Sequence, residues 1–147
     1  MPTLSISSPV GDLVITEEDG AVTAIHWGEK CESNGSQLLV EAARQLDAYF
    51  TGKLVNFDLP LRPAGSEFER RVWSAMQNIP YGKTQCYGDL AAAVGSAPRA
   101  VGGACGKNPV PIVIPCHRVL SKSGLGGYSG SGGLKTKQAL LTLEGAL

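Results

Sequence analysis

Pro111-Ile112-Val113-Ile114-Pro115-Cys116-His117-Arg118 is the stretch from which the rest of the chain can be read. Its first four residues are an apolar run long enough for a short buried strand. A cysteine at the end of such a run, followed at once by histidine and arginine, is placed where core meets solvent. The thiolate is the nucleophilic form of cysteine, and an isolated thiol with a pKa of ~8.5 needs cationic or basic neighbours to reach it. The tetrapeptide Pro115-Cys116-His117-Arg118 brings both kinds of group into the neighbourhood of the sulfur. The plainer reading is a structural cysteine packed as a small hydrophobe, so the flanking sequence has to decide.

Upstream, Ser66-Glu67-Phe68-Glu69 is a capping-box pattern with serine at the N-cap and glutamate three residues on. Phe68, Val72, Ala75, Met76 and Ile79 then make one helical face, stopped by Pro80 and Gly82. Tyr87 to Val94 is a short alanine-rich helix closed by Gly95. Ser96 is placed to cap the next helix, with Pro98 in its first turn where a missing N–H costs nothing. That helix runs to about Gly106, before Asn108-Pro109. Two short helices joined by a tight Gly-Ser turn form a helix-turn-helix candidate; two packed core helices without a ligand are the alternative. Two details favour DNA. Gly102-Gly103 inside the second helix costs about 1 kcal/mol per glycine relative to alanine, and a surface free of side chains lets another backbone come close. Arg99 lies in the first turn, where a recognition helix presents its contact residues. Downstream, residues 121–133 read as a Ser/Gly-rich loop around Tyr128, and Leu134 to Leu143 as a last helix ending at Glu144-Gly145.

The first half has a different pattern. Leu4 and Ile6, then Leu13 and Ile15, then Val22, Ala24 and His26 recur at period two, with turns at Pro9-Val10-Gly11-Asp12 and Glu18-Asp19-Gly20. This predicts a three-stranded meander. Gln37 to Phe50 has helical spacing, closed by Thr51-Gly52. Val55 to Leu59 reads as a further strand running into a linker, Pro60-Leu61-Arg62-Pro63. The expected organisation is therefore α/β (α+β): residues 1–61 a small α/β domain without a catalytic motif, and residues 62–147 a second domain carrying the cysteine.

The charges divide at the same place. Residues 1–61 hold three basic and nine acidic side chains, a net −6, whereas residues 62–147 hold ten basic and four acidic, a net +6. The whole chain sums to zero, which alone argues against nucleic acid, but a basic half bearing the reactive motif suits a polyanionic partner. Cys31, Cys86, Cys105 and Cys116 show no C-x-x-C spacing, and no signal peptide or long apolar span is evident, so they read as reduced thiols of a cytoplasmic protein. With two histidines, His26 and His117, and no finger or ribbon spacing, neither zinc nor any other metal is expected.

Asn108-Pro109-Val110-Pro111-Ile112-Val113-Ile114-Pro115-Cys116-His117-Arg118-Val119 resembles the active-site signature of the O6-alkylguanine-DNA alkyltransferases, the methylated-DNA–protein-cysteine methyltransferases. The resemblance extends over roughly residues 66 to 145 in the order capped helix, Tyr87 helix, Arg99 helix, Asn-Pro-x-Pro segment, cysteine, glycine-rich loop with Tyr128, and Glu144. It implies a ribonuclease-H-like N-terminal domain and a mostly helical C-terminal domain. It also implies a reaction: Cys116 takes the alkyl group from guanine O6 irreversibly, in a single turnover and without a cofactor. By the same resemblance, His117 takes the thiol proton through a water, Glu144 orients the imidazole, Tyr87 protonates the departing base, and Asn108 braces the turn around the site. Pro111, Val119, Tyr128 and Ser129 are implied as the walls and base-edge contacts of the alkyl pocket. Arg99, Ala100, Gly102, Gly103 and Tyr87 are implied as the minor-groove surface, with Arg99 filling the place of the flipped base. The implied partner is double-stranded DNA containing O6-alkylguanine, bound by a monomer, with no membrane.

The sequence departs from the family pattern at two places. The loop Tyr128-Ser129-Gly130-Ser131-Gly132-Gly133 is longer than the usual Tyr-Ser-Gly-Gly, and Cys105 stands where members often carry a larger apolar residue. Two other readings compete. A lesion sensor of the alkyltransferase-like type replaces the cysteine, which is present here. A cysteine hydrolase or thiol oxidoreductase leaves the helix-turn-helix and the basic half unexplained.

Overall fold

Turns at Gly11 and Gly20 cut the start of the chain into three extended runs. The structure, a computed structural model, describes residues 2–28, 36–128 and 130–147. It joins the three runs as an antiparallel meander of β1 (Thr3–Ile6), β2 (Leu13–Glu18) and β3 (Ala21–Trp27), in that order. Leu4 lies opposite Ile15, Ile6 opposite Leu13, and Ile15 opposite Ile25, so these residues share one apolar face. The expected third row, Val22 with Ala24 and His26, does not form. Thr16 pairs with Ala24 but Glu17 pairs with Val22, leaving Thr23 as the extra residue of a bulge. A bulge reverses the alternation beyond it, so Val22 joins the face of Ile25, while Ala24 is half-buried and His26 exposed.

α1 (Gln37–Phe50) covers that sheet. Ser36 starts it, its Oγ accepting the Leu39 N–H at 3.1 Å. Leu39, Ala42, Leu46 and Tyr49 form the buried stripe at helical spacing. The strand expected over Val55–Leu59 is absent, and at Asp58 both backbone groups go to a side chain instead of a neighbouring strand. The buried Gln45 amide donates to Asp58 O at 3.0 Å and accepts from Asp58 N at 2.8 Å. Sheet-like pairing resumes only where Val22 N reaches Pro60 O (2.8 Å) and Arg62 N reaches Val22 O (2.9 Å). These bonds hold residues 60–62 to the first of two compact units, Met1–Pro63 and Ala64–Leu147.

The second unit opens with α2 (Glu67–Gln77), whose capping box is complete: Glu69 N to Ser66 Oγ at 3.1 Å and Ser66 N to Glu69 Oε1 at 2.9 Å. α3 (Tyr87–Val94) and α4 (Pro98–Gly106) pack on α2 and on each other. Trp73 of α2, 1% exposed, ties this trio together by donating its indole N–H to Ala104 O at 2.8 Å. Ser96 does not cap α4. Its backbone N–H closes α3 onto Ala91 O at 2.9 Å, next to Gly95 in the left-handed region, and the N-cap falls to Ala97 without a side-chain bond. A short parallel pair, β4 (Gln85–Cys86) with β5 (Val119–Leu120), and α5 (Leu134–Leu143) complete the unit. No helix among the described residues is long and apolar enough to cross a membrane.

Candidate active site

The apolar run before Cys116 is buried as expected, but it is a turn and not a strand. Val110 O accepts from Ile114 N at 2.9 Å, and Ile112 at its apex has φ +74°. A β-branched residue rarely adopts that conformation, and two constraints hold it here. The Asn108 amide clamps both ends of the turn, donating to Ile114 O at 2.8 Å and accepting from Val110 N at 2.9 Å. Ile112 itself is 1% exposed, so burial opposes any release. Pro115 then leads into a single 3-10 turn, Cys116–Arg118. The turn, not a strand end, delivers the cysteine to the surface of a cleft.

That cleft, of about 320 Å³, is lined by Tyr87, Gly102, Cys105, Gly106, Cys116, Gly127 and Tyr128. Tyr87 from α3, Gly102 from α4 and Tyr128 from the loop thus meet Cys116 in one cleft, Gly102 being a residue expected on the DNA-facing surface and not in the pocket. Pro111 and Val119 do not line it. Pro111 is bridged to Ile114 inside the buried turn, and Val119 is fully buried in β5 against Gln85. Ser129 lies outside the described residues. Arg99, Ala100 and Gly103 are exposed on α4, and a Cβ built on Gly102, Gly103 or Gly106 would meet nothing within 4 Å.

Beside the cleft lies a buried polar network. His117 Nε2 and Glu144 Oε2 are 2.7 Å apart, with both side chains fully inaccessible. Arg118 grips the same carboxylate with Nε to Oε1 at 2.8 Å and Nη2 to Oε2 at 3.0 Å. Its Nη1 donates to Ile79 O at 2.7 Å. Paired with a guanidinium in this way, Glu144 is an ionised acceptor, so Nε2 of His117 carries the proton. In the neutral ring Nδ1 is then the basic nitrogen, and Nδ1 is buried without a protein hydrogen-bond partner. Burial holds the imidazole's pKa below its ordinary value, against the opposing pull of Glu144. It is a neutral base at neutral pH.

This arrangement corrects one expectation about the sulfur. The guanidinium of Arg118 is committed to Glu144 and Ile79, so it is not the cation that activates Cys116. Burial instead pushes the Cys116 thiol up, offset by the Asn108 side chain and by the charge of Lys137. The resting residue is a protonated thiol, and a nucleophile forms only when a base removes that proton. Burial, reinforced by the charge that either thiol would carry, also raises the Tyr87 phenol. Tyr87 therefore keeps its proton and remains a donor.

Residues 67–146 match the 6-O-methylguanine DNA methyltransferase DNA binding domain, and residues 4–63 match the ribonuclease-like domain of the same family. The chain belongs to the 6-O-methylguanine DNA methyltransferase family. It is 52% identical to a methylated-DNA–protein-cysteine methyltransferase of Methanosarcina barkeri, over 95% of this chain and 94% of that one. Identity to the constitutive enzyme of Bacillus subtilis is 42%, over 93% of this chain and 91% of that one. The crystal structure of Mycobacterium tuberculosis O6-methylguanine methyltransferase matches with a TM-score of 0.88 at 39% identity, covering 99% of this chain and 93% of that one. The M. tuberculosis OGT in complex with DNA matches with a TM-score of 0.86 at 42% identity, covering 97% and 91%.

In this family member two site residues escaped the sequence reading, Arg118 and Lys137. Arg118 belongs to the motif, but its partner is the Glu144 carboxylate and not the neighbouring sulfur. Lys137 carried a legible signal: Lys137, Leu140, Leu141 and Glu144 fall on one helical stripe, which places the lysine inside with the leucines.

Proposed function

We propose that this chain is a cytoplasmic DNA repair protein that moves the alkyl group of O6-alkylguanine in double-stranded DNA onto its own Cys116, once and irreversibly. The observation that carries this reading is the pairing of a cleft-lining thiol with a buried neutral imidazole whose tautomer is fixed by Glu144 and Arg118. The Cys116 proton passes, through an intervening water, to His117 Nδ1. The sulfur then forms its bond to the alkyl carbon as the carbon–O6 bond breaks. Guanine leaves with the bonding pair and takes a proton from the Tyr87 hydroxyl, which regains one from solvent. The thioether carries no S–H to ionise and its carbon–sulfur bond is stable in water, so the reaction stops after one transfer.

O6 lies within the base stack, and chemistry on it requires an extruded nucleotide. The exposed face of α4 fits that task. Gly103 leaves open space for a sugar-phosphate backbone, Ala100 keeps the surface low, and Arg99 at the helix start is positioned to occupy the place of the extruded base. Minor-groove readout is degenerate, which suits a monomer that surveys DNA of any sequence. Tyr128 and Gly102 wall the alkyl end of the cleft, and the family resemblance assigns Ser129 to base-edge contact.

The test is incubation with duplex DNA carrying O6-methylguanine, followed by intact-protein mass spectrometry and peptide mapping. The expected product is one methyl group on the Cys116 peptide, reached at a one-to-one ratio and stable thereafter. Repeated turnover, or a methyl group on another residue, would refute the reading.

A further inference from the structure

Lys137 is 0% exposed, yet no carboxylate among the described residues lies within 4 Å of its ammonium. The other buried cation, Arg118, has Glu144. An ammonium removed from water without a counter-ion is strongly disfavoured. Its hydrogen bonds do not solve the problem: two of its three donors go to neutral carbonyls, Val119 O at 2.7 Å and Gly127 O at 2.9 Å.

The groups that face it suggest what does. Val119 follows the Cys116–Arg118 turn, and Gly127 lines the cleft together with Cys116. The ring of Tyr87 lies 6.0 Å from the ammonium. The groups that feel its charge are the thiols of Cys116 and Cys105 and the imidazole of His117. Of the two thiols, Cys105 is engaged with Met76 Sδ at 3.5 Å and is pushed up to about 12, chiefly by burial. That leaves Cys116 as the neighbour that becomes an anion before the transfer; Tyr87 gives up its proton only afterwards, to the departing base.

We propose that the Lys137 ammonium is a built-in counter-ion of the Cys116 thiolate, a positioning residue for the transfer assigned above. The inference rests on that assignment. When His117 takes the thiol proton, the new imidazolium is answered by Glu144, and the new sulfur anion is answered by Lys137. As the sulfur–carbon bond forms, the negative charge leaves with guanine, and the neutral thioether no longer needs a partner. The cation therefore favours the thiolate while opposing charge on the imidazole, so it acts on the transient state and not on the finished one.

A merely structural lysine would tie β5 to the cleft loop and leave thiol acidity alone. The two roles separate when the alkylation rate of Cys116 by iodoacetamide is followed against pH, with the Cys116 peptide quantified by mass spectrometry. Lys137→Met and Lys137→Gln both remove the charge, and glutamine retains polar groups for the two carbonyls. Both are expected to move the midpoint upward, and a one-unit shift corresponds to about tenfold slower alkylation at neutral pH. Lys137→Arg is expected to stay close to wild type. Midpoints unchanged in the neutral variants would overturn the proposal, even if methyl transfer fell. A measurement on the native chain does not depend on the variants folding: the Lys137 13Cε resonance is expected to show a titration step at the Cys116 midpoint that vanishes in Cys116→Ala. Absence of that step in the wild type would equally overturn it. Failure of the underlying assignment reads differently, because wild-type protein would then take no methyl group from methylated DNA.

Discussion

Two arginine–carboxylate pairs in this chain share one bidentate geometry in opposite surroundings. On α1, Arg44 Nε and Nη2 reach the two oxygens of Glu41 at 2.7 Å each. In the second unit, Arg118 Nε and Nη2 reach the two oxygens of Glu144 at 2.8 and 3.0 Å. The first pair has side chains 62% and 42% exposed, the second 8% and 0%. Water can solvate Arg44 and Glu41 whether or not they touch, so their contact adds little. Arg118 and Glu144 have no such refuge, and the Glu144 carboxylate also holds His117. Identical contacts therefore do different jobs: one decorates a helix surface, and the other fixes the tautomer of a base beside a nucleophile.

The largest effect is expected from breaking the buried pair. Glu144→Ala leaves Arg118 charged and buried, with its Nη1 still donating to Ile79 O. Removing one partner of a buried pair costs about 3–5 kcal/mol, to be read from urea unfolding. The double variant Arg118→Met, Glu144→Met removes both charges, and replacement of a buried pair by apolar groups is often near neutral. Stability should then return while methyl transfer stays low, because His117 has lost the group that orients it. Recovery of both together would mean that the network serves stability only, and the contrast between the two pairs would fail.

Legibility in the sequence follows the same division. α1, α3 and α5 were readable to the residue, and so was the start of α2, because helical apolar spacing and caps such as Ser66 with Glu69 act locally. α2 ends at Gln77, two residues short of the Ile79 expected on its apolar face. Misreadings occurred where a distant partner decided the outcome. The Val55–Leu59 strand lost the backbone groups of Asp58 to Gln45, and the Val22 face was reset by a bulge against Glu17. The expected Pro111–Ile114 strand is a turn clamped by Asn108. The site shows the same pattern. Cys116, His117 and Asn108 stand in one recognisable stretch, and Glu144 and Tyr87 were found through family resemblance. Arg118 and Lys137 were misjudged or missed because arginine and lysine are ordinarily surface residues. Their burial depends on a carboxylate 26 positions away for one, and on the carbonyls of two separate segments for the other.

A middling effect should appear with acid. Burial depresses the pKa of His117 in the folded protein below the ordinary value of 6.5. Between those two pKa values the unfolded chain binds a proton that the folded chain refuses, so stability rises with pH there. The contribution is fully present above pH 6.5 and is lost as pH falls toward the folded value. His117→Gln should flatten this part of the stability curve, measured by urea unfolding from neutral pH downward. A curve as steep in His117→Gln as in the wild type would mean that the buried imidazole does not set it.

The smallest effect is expected at the exposed pair, and it is the more demanding check. Glu41 is held down to about 2, first by Arg44 and then by Gln45, and its side chain is partly exposed. Taken at face value, a carboxylate so acidic contributes stability above its ordinary 4.5 that is lost as pH falls toward 2. Solvent and salt screen both partners, however, and Gln45 keeps its two bonds to Asp58 when Glu41 is changed. Glu41→Ala should therefore unfold at the wild-type urea midpoint at neutral pH, and raised salt should not separate the two. A loss comparable to that of Glu144→Ala would mean that bidentate geometry sets the strength of such a pair whatever its surroundings. A null result would place the difference in burial, which is also the condition that lets Arg118 and Glu144 govern a proton on His117.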